Sequence, residues 1–294
     1  MLELINFYLI PGLVLGAIYA LAAVGVSLVY GVMRFANFAH GDLMTFGAYA
    51  ALFFVGAFAI SPWAAVPLAV LATIPVALAA DRAFFQPLRR SAPAVLLISS
   101  FGVALMIRAV VYLVYGPSPE SYTRGFTPPM LFGDIRIQLR HLYILAGAVA
   151  VAVSVHVLLA HTRAGRAMRA MADDPDLARV TGVPVTGVIR LTWAVSAGLA
   201  AIAGVFLAID TELTPLLGFH VLLAAFAGAI LGGIGRPYGA ALGGLILGLA
   251  EELSSYPWLG DGPLLEPTYK AGVAFAVLVL VLIFRPQGLF RGVG

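Results

Sequence analysis

Cysteine is absent from this 294-residue chain, and lysine occurs once, at Lys270. Without Cys there is no disulfide, no thiolate nucleophile and no Cys-based metal site. The single lysine stands in Thr268-Tyr269-Lys270-Ala271. A phosphate-cradling loop needs Gly-Lys-Ser/Thr, so if the protein acts in an ATP-driven process, another chain must bind the ATP. Charge is scarce as well, at 11% of residues against roughly 25% in an average soluble domain. With 62% hydrophobic residues and a mean hydropathy of +1.01, the chain cannot cover a folded surface with polar groups. A soluble globular protein is excluded, and lipid is its main solvent. No stripe of basic and aromatic residues stands clear of the apolar runs, which speaks against nucleic acid as a partner. There is no His-Glu-x-x-His pair and no Gly-x-Ser-x-Gly elbow, so an intramembrane enzyme is disfavoured. No cofactor is implied.

What is there is a succession of apolar runs. A span needs about 20 residues, and the runs resolve into segments at 7–31, 40–60, 64–85, 93–115, 141–160, 189–209, 217–234, 239–256 and 268–285. The expected fold is all-α, a single polytopic membrane domain over 1–294 with eight or nine transmembrane helices. The breaks at Asn37–Gly41 and Gly232–Gly239 read either as turns between spans or as re-entrant bends. The 116–140 connector, rich in Pro and Gly, reads as irregular. Segments 7–85 and 217–285 share a generic order of span, Gly-containing break, span, short turn and span, a weak hint of an internal repeat. No basic residue precedes Arg34, so the first run is read as a retained span rather than a cleaved signal.

Sixteen of the seventeen basic residues are Arg, and they set the orientation through the positive-inside rule. If the spans alternate, twelve of the seventeen fall on one side: Arg34, Arg82, Arg89, Arg90, Arg163, Arg166, Arg169, Arg179, Arg190, Arg236, Arg285 and Arg291. That side is read as cytoplasmic, with the N-terminus outside, the C-terminus inside and 161–187 as a cytoplasmic connector. Arg108 lies within a span, late enough to snorkel outward.

Three segments carry the candidate functional residues. In the connector, Asp174 fits a helix cap with Pro175 at the first helical position. Leu177, Ala178 and Val180 supply a small apolar face, and Gly182 followed by Pro184 ends the helix. With Arg166 and Arg169 upstream, this reads either as a docking element for a soluble partner or as a plain basic interfacial loop. The second segment, Asn37 to Asp42, sets an amide, the His40 imidazole and a carboxylate between two apolar runs. A charge at mid-membrane costs roughly 2.5–3.5 kcal/mol on insertion scales, so Asp42 lies near an interface or faces a cavity or partner. A gate or pathway lining and a solvated turn with helix caps both fit. One His and one Asp do not make a metal site. Glu251, with Glu252, closes the span at 239–256 and fits either an aqueous pathway or the outer interface. In the third segment, Gly228, Gly232, Gly235, Gly239 and Gly243 recur at small-residue spacing, which lets helices approach closely.

Taken together these pieces resemble a known family. Tyr30-Gly31 through Asn37-Phe38-Ala39-His40-Gly41 to Gly47-Ala48-Tyr49 comes first, then Thr162 to Ala167 through Gly182-Val183. Ala225-Phe226 through Gly232-Gly233-Ile234-Gly235 to Gly248 follows, and Arg285-Pro286-Gln287-Gly288-Leu289-Phe290 closes the set. In this order they resemble the LivH-type membrane subunits of ABC importers for branched-chain amino acids, over nearly the whole chain. Leu177-Ala178 departs from a more usual Ala-Ala pair, and Arg236-Pro237-Tyr238 from the usual style of the Gly-rich turn. The resemblance implies a permease in a bacterial inner membrane, working by alternating access. It also implies two cytoplasmic ATPases docked through 161–187, a second related permease subunit and a periplasmic solute-binding protein. Relatives of this type also carry urea or amides, and a secondary transporter remains the rival class.

Overall fold

The computed structural model describes residues 2–122, 129–132, 135–258, 260, 262, 264–266, 269–285 and 288–289. Arg124 and Arg291 lie outside them, as do Pro286, Gln287 and Phe290 of the C-terminal motif. Among the described residues six helices are long and apolar enough to cross a membrane: α1 Leu2–Met33, α2 Ala39–Phe58, α3 Pro62–Leu88, α4 Pro93–Tyr115, α5 Leu139–His161 and α8 Val185–Asp210. Between α5 and α8 lie two short helices, α6 Arg163–Asp173 and α7 Pro175–Val180. The chain continues with α9 Leu217–Gly232, α10 Pro237–Leu253 and α11 Lys270–Phe284. The all-α expectation holds with one small exception. Within the connector that reads as irregular, Met130–Phe132 (β1) pairs antiparallel with Ile135–Ile137 (β2).

Proline begins several of these helices, at Pro62, Pro93, Pro175 and Pro237. At a first helical position its missing N–H costs nothing and its φ is already helical. The boundaries otherwise follow burial. In α1, 89% of the most apolar window is buried, and in α8 78%, whereas α5 has only 17%. A helix buried all round sits at the centre of a bundle, so α1 and α8 form the middle and α5 lies on the outside.

The close approaches at the centre explain the glycines. Helix α10 runs antiparallel along α1, with Gly12 at Glu252, Gly16 at Leu245, Ala20 at Gly244 and Gly31 at Gly235. A methyl group at Gly16 would lie 2.8 Å from the Leu245 carbonyl oxygen, and one at Gly228 would lie 2.9 Å from Gly244 Cα. Gly232, Gly239 and Gly243 complete the α9–α10 contact, where each meets the backbone of the facing helix. Lipid gives no hydrophobic drive to helix pairing, so packing at such small-residue seams supplies the attraction. The C-terminal segment returns to this seam. Leu289 N donates to Leu231 O at 2.8 Å, and Gly288, at φ +79°, lies against Gly233.

Four of the arginines gather at one end of the bundle. The Arg34 guanidinium donates to the Ala172 carbonyl oxygen, and Arg89, Arg90 and Arg179 border one cavity at that same end. At the other end Asp210 meets His141 Nε2 at 3.1 Å and Arg140 Nε at 3.7 Å. Glu120 and Leu213 form a two-hydrogen-bond bridge there, at 2.9 and 3.1 Å.

Candidate functional site

The break between α1 and α2 is built into the bundle interior. Arg34 closes α1 in the left-handed conformation, with φ 58° and its N–H on Tyr30 O at 2.8 Å. Asn37 then starts α2 by accepting from Ala39 N at 3.1 Å, while Phe38 N donates to Ser100 Oγ of α4 at 3.0 Å. His40 is fully buried. Its ring touches Gly25, where a methyl group would lie 2.5 Å from Cε1. Gly25 stands eight residues before the end of α1, about 12 Å at helical rise. The first turn of α2 therefore starts well inside the end of α1. Ser196 Oγ donates to Gly25 O at 3.0 Å and lies 3.3 Å from His40 Nδ1. The Ser196 side chain thus bridges the α1 backbone and the His40 ring.

Asp42 is where sequence and structure differ most instructively. It caps nothing. Arg108 Nε and Nη2 donate to its two carboxylate oxygens at 2.8 and 2.9 Å, and Asp42 is 1% exposed. The Arg108 guanidinium also lies 4.5 Å from the centre of the Phe219 ring. The expectation that Arg108 snorkels outward is thus corrected. A carboxylate within reach stabilises the guanidinium more than the climb to an interface, because the planar fork matches it bidentately. The pair joins α2, α4 and α9. Beside it Gly218 N donates to Thr45 Oγ1 at 3.0 Å, and Gly41 and Gly218 meet backbone to backbone. Ser100, Arg108, Ser196 and Phe219 were not singled out as partners in the sequence. The usable signal was one Arg and one Asp in separate apolar runs, since intramembrane charges pair.

Glu251 stands apart from this cluster. It is buried near the start of α1, and its neighbour Glu252 accepts from Lys270 Nζ at 2.7 Å. Along α1, Gly12 beside Glu252 and Gly25 beside His40 are thirteen residues apart, about 20 Å at helical rise. The structure therefore does not bring Glu251 together with Asn37, His40 and Asp42.

In the connector the expected short helix is present and a second one precedes it. Thr162 Oγ1 caps α6 by accepting from Gly165 N at 2.9 Å, and Arg169 donates to Leu159 O, folding α6 back on α5. Met168 and Met171 face inward, and Arg166 and Arg169 are exposed. Asp174 Oδ1 accepts from Asp176 N and Leu177 N at 2.9 and 3.0 Å, the cap expected for α7. Gly182 N donates to Arg179 O and Val183 N to Ala178 O. These two bonds, with Gly182 at φ +85°, make a Schellman ending. The expected apolar face is divided. Ala178 is buried, whereas Leu177 is 61% and Val180 85% exposed. One turn therefore holds α7 to the body and offers two apolar side chains outward.

This architecture agrees with the comparisons. The family described as branched-chain amino acid transport system / permease component matches residues 8–282. The chain belongs to this family. The permease is 33% identical to the high-affinity branched-chain amino acid transport system permease protein BraD of Pseudomonas aeruginosa, over 96% of its own length and 94% of the relative's. It is equally identical to the LivH permease proteins of Salmonella typhimurium and of Escherichia coli K12, over 95% of its length and 92% of theirs. PsaBC from Streptococcus pneumoniae shares the permease fold at TM-score 0.54 and 10% identity, covering 97% of this chain and 95% of that one. An inward-facing metal-chelate type ABC transporter matches at TM-score 0.54 and 13% identity, covering 96% and 88%. The permease is a membrane-embedded transport protein and not an enzyme.

Proposed function

We propose that this permease carries branched-chain or other hydrophobic amino acids across a bacterial inner membrane, as the membrane subunit of an ATP-driven importer. The end-to-end match to permeases named for branched-chain amino acids carries the reading. In it a second related permease subunit completes the pathway, a periplasmic binding protein delivers the solute, and two ATPases dock on the connector. The exposed Leu177 and Val180 on a firmly capped helix support α7 as the docking element. Arg166 and Arg169 on α6 flank it as exposed cations. Motion of the connector has a short route inward: Arg34 ties Ala172 to the break that leads to His40 and the Asp42–Arg108 pair. Alternating access then works through two arrangements of packed helices, with Asn37, His40 and Asp42 at the gate and Glu251 at the opposite mouth.

Two experiments bear on this directly. Gly182 has open space where a side chain would go, so only its left-handed backbone resists substitution, by about 1–2 kcal/mol. Gly182→Val should release the ATPases on purification while the permease stays in the membrane, and Gly182→Asn should release them less. Equal co-purification of both variants with the unaltered chain would remove the docking role from α7. The proposed orientation is tested by Thr162→Cys in a chain that has no native cysteine. An impermeant maleimide added outside intact cells should leave it unlabelled until the membrane is opened, and labelling from outside would invert the topology.

A further inference from the structure

Beneath α7 lies a cavity of about 340 Å³ that the transport reading does not use. That volume falls within the roughly 300–1,000 Å³ of small-molecule sites. Its lining is of two kinds. Phe85, Leu96 and Ile189 are among its apolar lining residues, and Arg89, Arg90 and Arg179 are its cationic ones. The charges are not all satisfied internally. Arg89 Nη2 donates to both oxygens of Asp81 at 2.6 and 2.7 Å, but its buried Nε has no partner among the described residues. Arg179 meets Asp176 at 3.4 Å in a solvated pair. Arg90 makes no ion pair or hydrogen bond among the described residues. Leu96 belongs to the first turn of α4, whose start carries no side-chain cap, and a helix start favours a negative group.

We propose that this cavity binds a branched aliphatic monocarboxylate, its chain against Phe85 and Leu96 and its carboxylate on Arg90 and Arg89. Guanidinium groups suit carboxylates through paired donors, and the apolar wall selects a hydrocarbon chain over a hydrated anion. Two cellular sources share this chemistry, the branched-chain amino acid and its 2-oxo acid. Pro175 and Arg179 of α7 also border the cavity, so an occupant ties the proposed docking helix to the body and slows coupling. That consequence and the choice of a branched chain rest on the transport reading, whereas the pairing of an apolar carboxylate with this lining does not.

The structure supplies a reporter. Trp193 stacks on Phe85, with ring centres 5.1 Å apart and planes 13° from parallel. The permease, purified with its partner subunits in phosphatidylcholine nanodiscs, is titrated with 4-methylpentanoate, L-leucine, 4-methyl-2-oxopentanoate, 3-methylbutylamine and glycerol 3-phosphate while tryptophan emission is followed. The carboxylates should produce a saturable change that the amine does not, and whichever of leucine and the oxo acid saturates first identifies the source. Arg90→Gln should raise the half-saturating concentration at least tenfold, the loss of one charge-assisted contact, and Trp193→Phe should abolish the signal. Four results would overturn the site: no saturable response to any carboxylate, an equal response to the amine, unchanged affinity in Arg90→Gln, or a response to glycerol 3-phosphate alone, which assigns the cavity to lipid headgroups. A second readout separates binding from transport. Vesicles preloaded with the bound carboxylate should take up less leucine, and Arg90→Gln should relieve this. Saturable binding without that effect overturns only the coupling consequence.

Discussion

Arg108→Gln should destabilise the permease by about 3–5 kcal/mol, the usual cost of leaving one member of a buried ion pair without its partner. The estimate applies because both side chains are largely withdrawn from solvent, at 12% for Arg108 and 1% for Asp42. Their paired geometry, at 2.8 and 2.9 Å, leaves no second partner among the described residues to take over the carboxylate. The double variant Asp42→Asn/Arg108→Gln should recover most of the loss, since two neutral amides bury at far lower cost and can still hydrogen bond. Unfolding of the purified chain in nanodiscs, with membrane abundance alongside, measures both. A loss below about 1 kcal/mol would mean that the pair is solvated and that α2, α4 and α9 are held by packing alone.

Gly232→Val should be the most damaging single change on the α9–α10 seam. Any Cβ at Gly232 meets the Gly239 backbone, and backbone cannot rotate aside as a side chain can. Overpacking commonly costs 1–3 kcal/mol and occasionally more, and here two helices must separate, with the Gly31–Gly235 contact and the returning Leu289 attached to the same hairpin. The variant should be nearly absent from membranes. Gly56→Val, where nothing lies within 4 Å, should be present at normal level. Equal abundance of the two would show that the seam is looser than the backbone contacts require.

The contrast between those two glycines shows what the sequence could and could not tell. Small residues at 228, 232, 239 and 243 announced a close helix contact, because spacing alone puts them on one face. The second contact of this hairpin, α10 along α1, is not readable: Gly16 and Gly31 of α1 lie over 200 residues from the Leu245 and Gly235 they meet, and local periodicity carries no long-range information. Asp174 and Gly182 were legible as the two ends of α7, since capping is local chemistry. Helix α6 was missed because its charged face and lone methionines read as a loop between apolar runs. Asp42 reads as too costly to leave alone, yet Arg108 reads as an interfacial residue, because one chain position cannot reveal that the first turn of α2 packs beside α4. For Glu251 the sequence leaves an aqueous pathway and the outer interface open, and the coordinates place it apart from the Asn37–Asp42 segment.

The central claim, ATP-driven import of branched-chain amino acids, is tested most directly by reconstituting the permease with its partner permease, ATPases and binding protein in proteoliposomes and following labelled leucine. The expected result is accumulation that requires ATP and is competed by isoleucine and valine but not by urea. Uptake that ignores ATP and follows a proton or sodium gradient would contradict it.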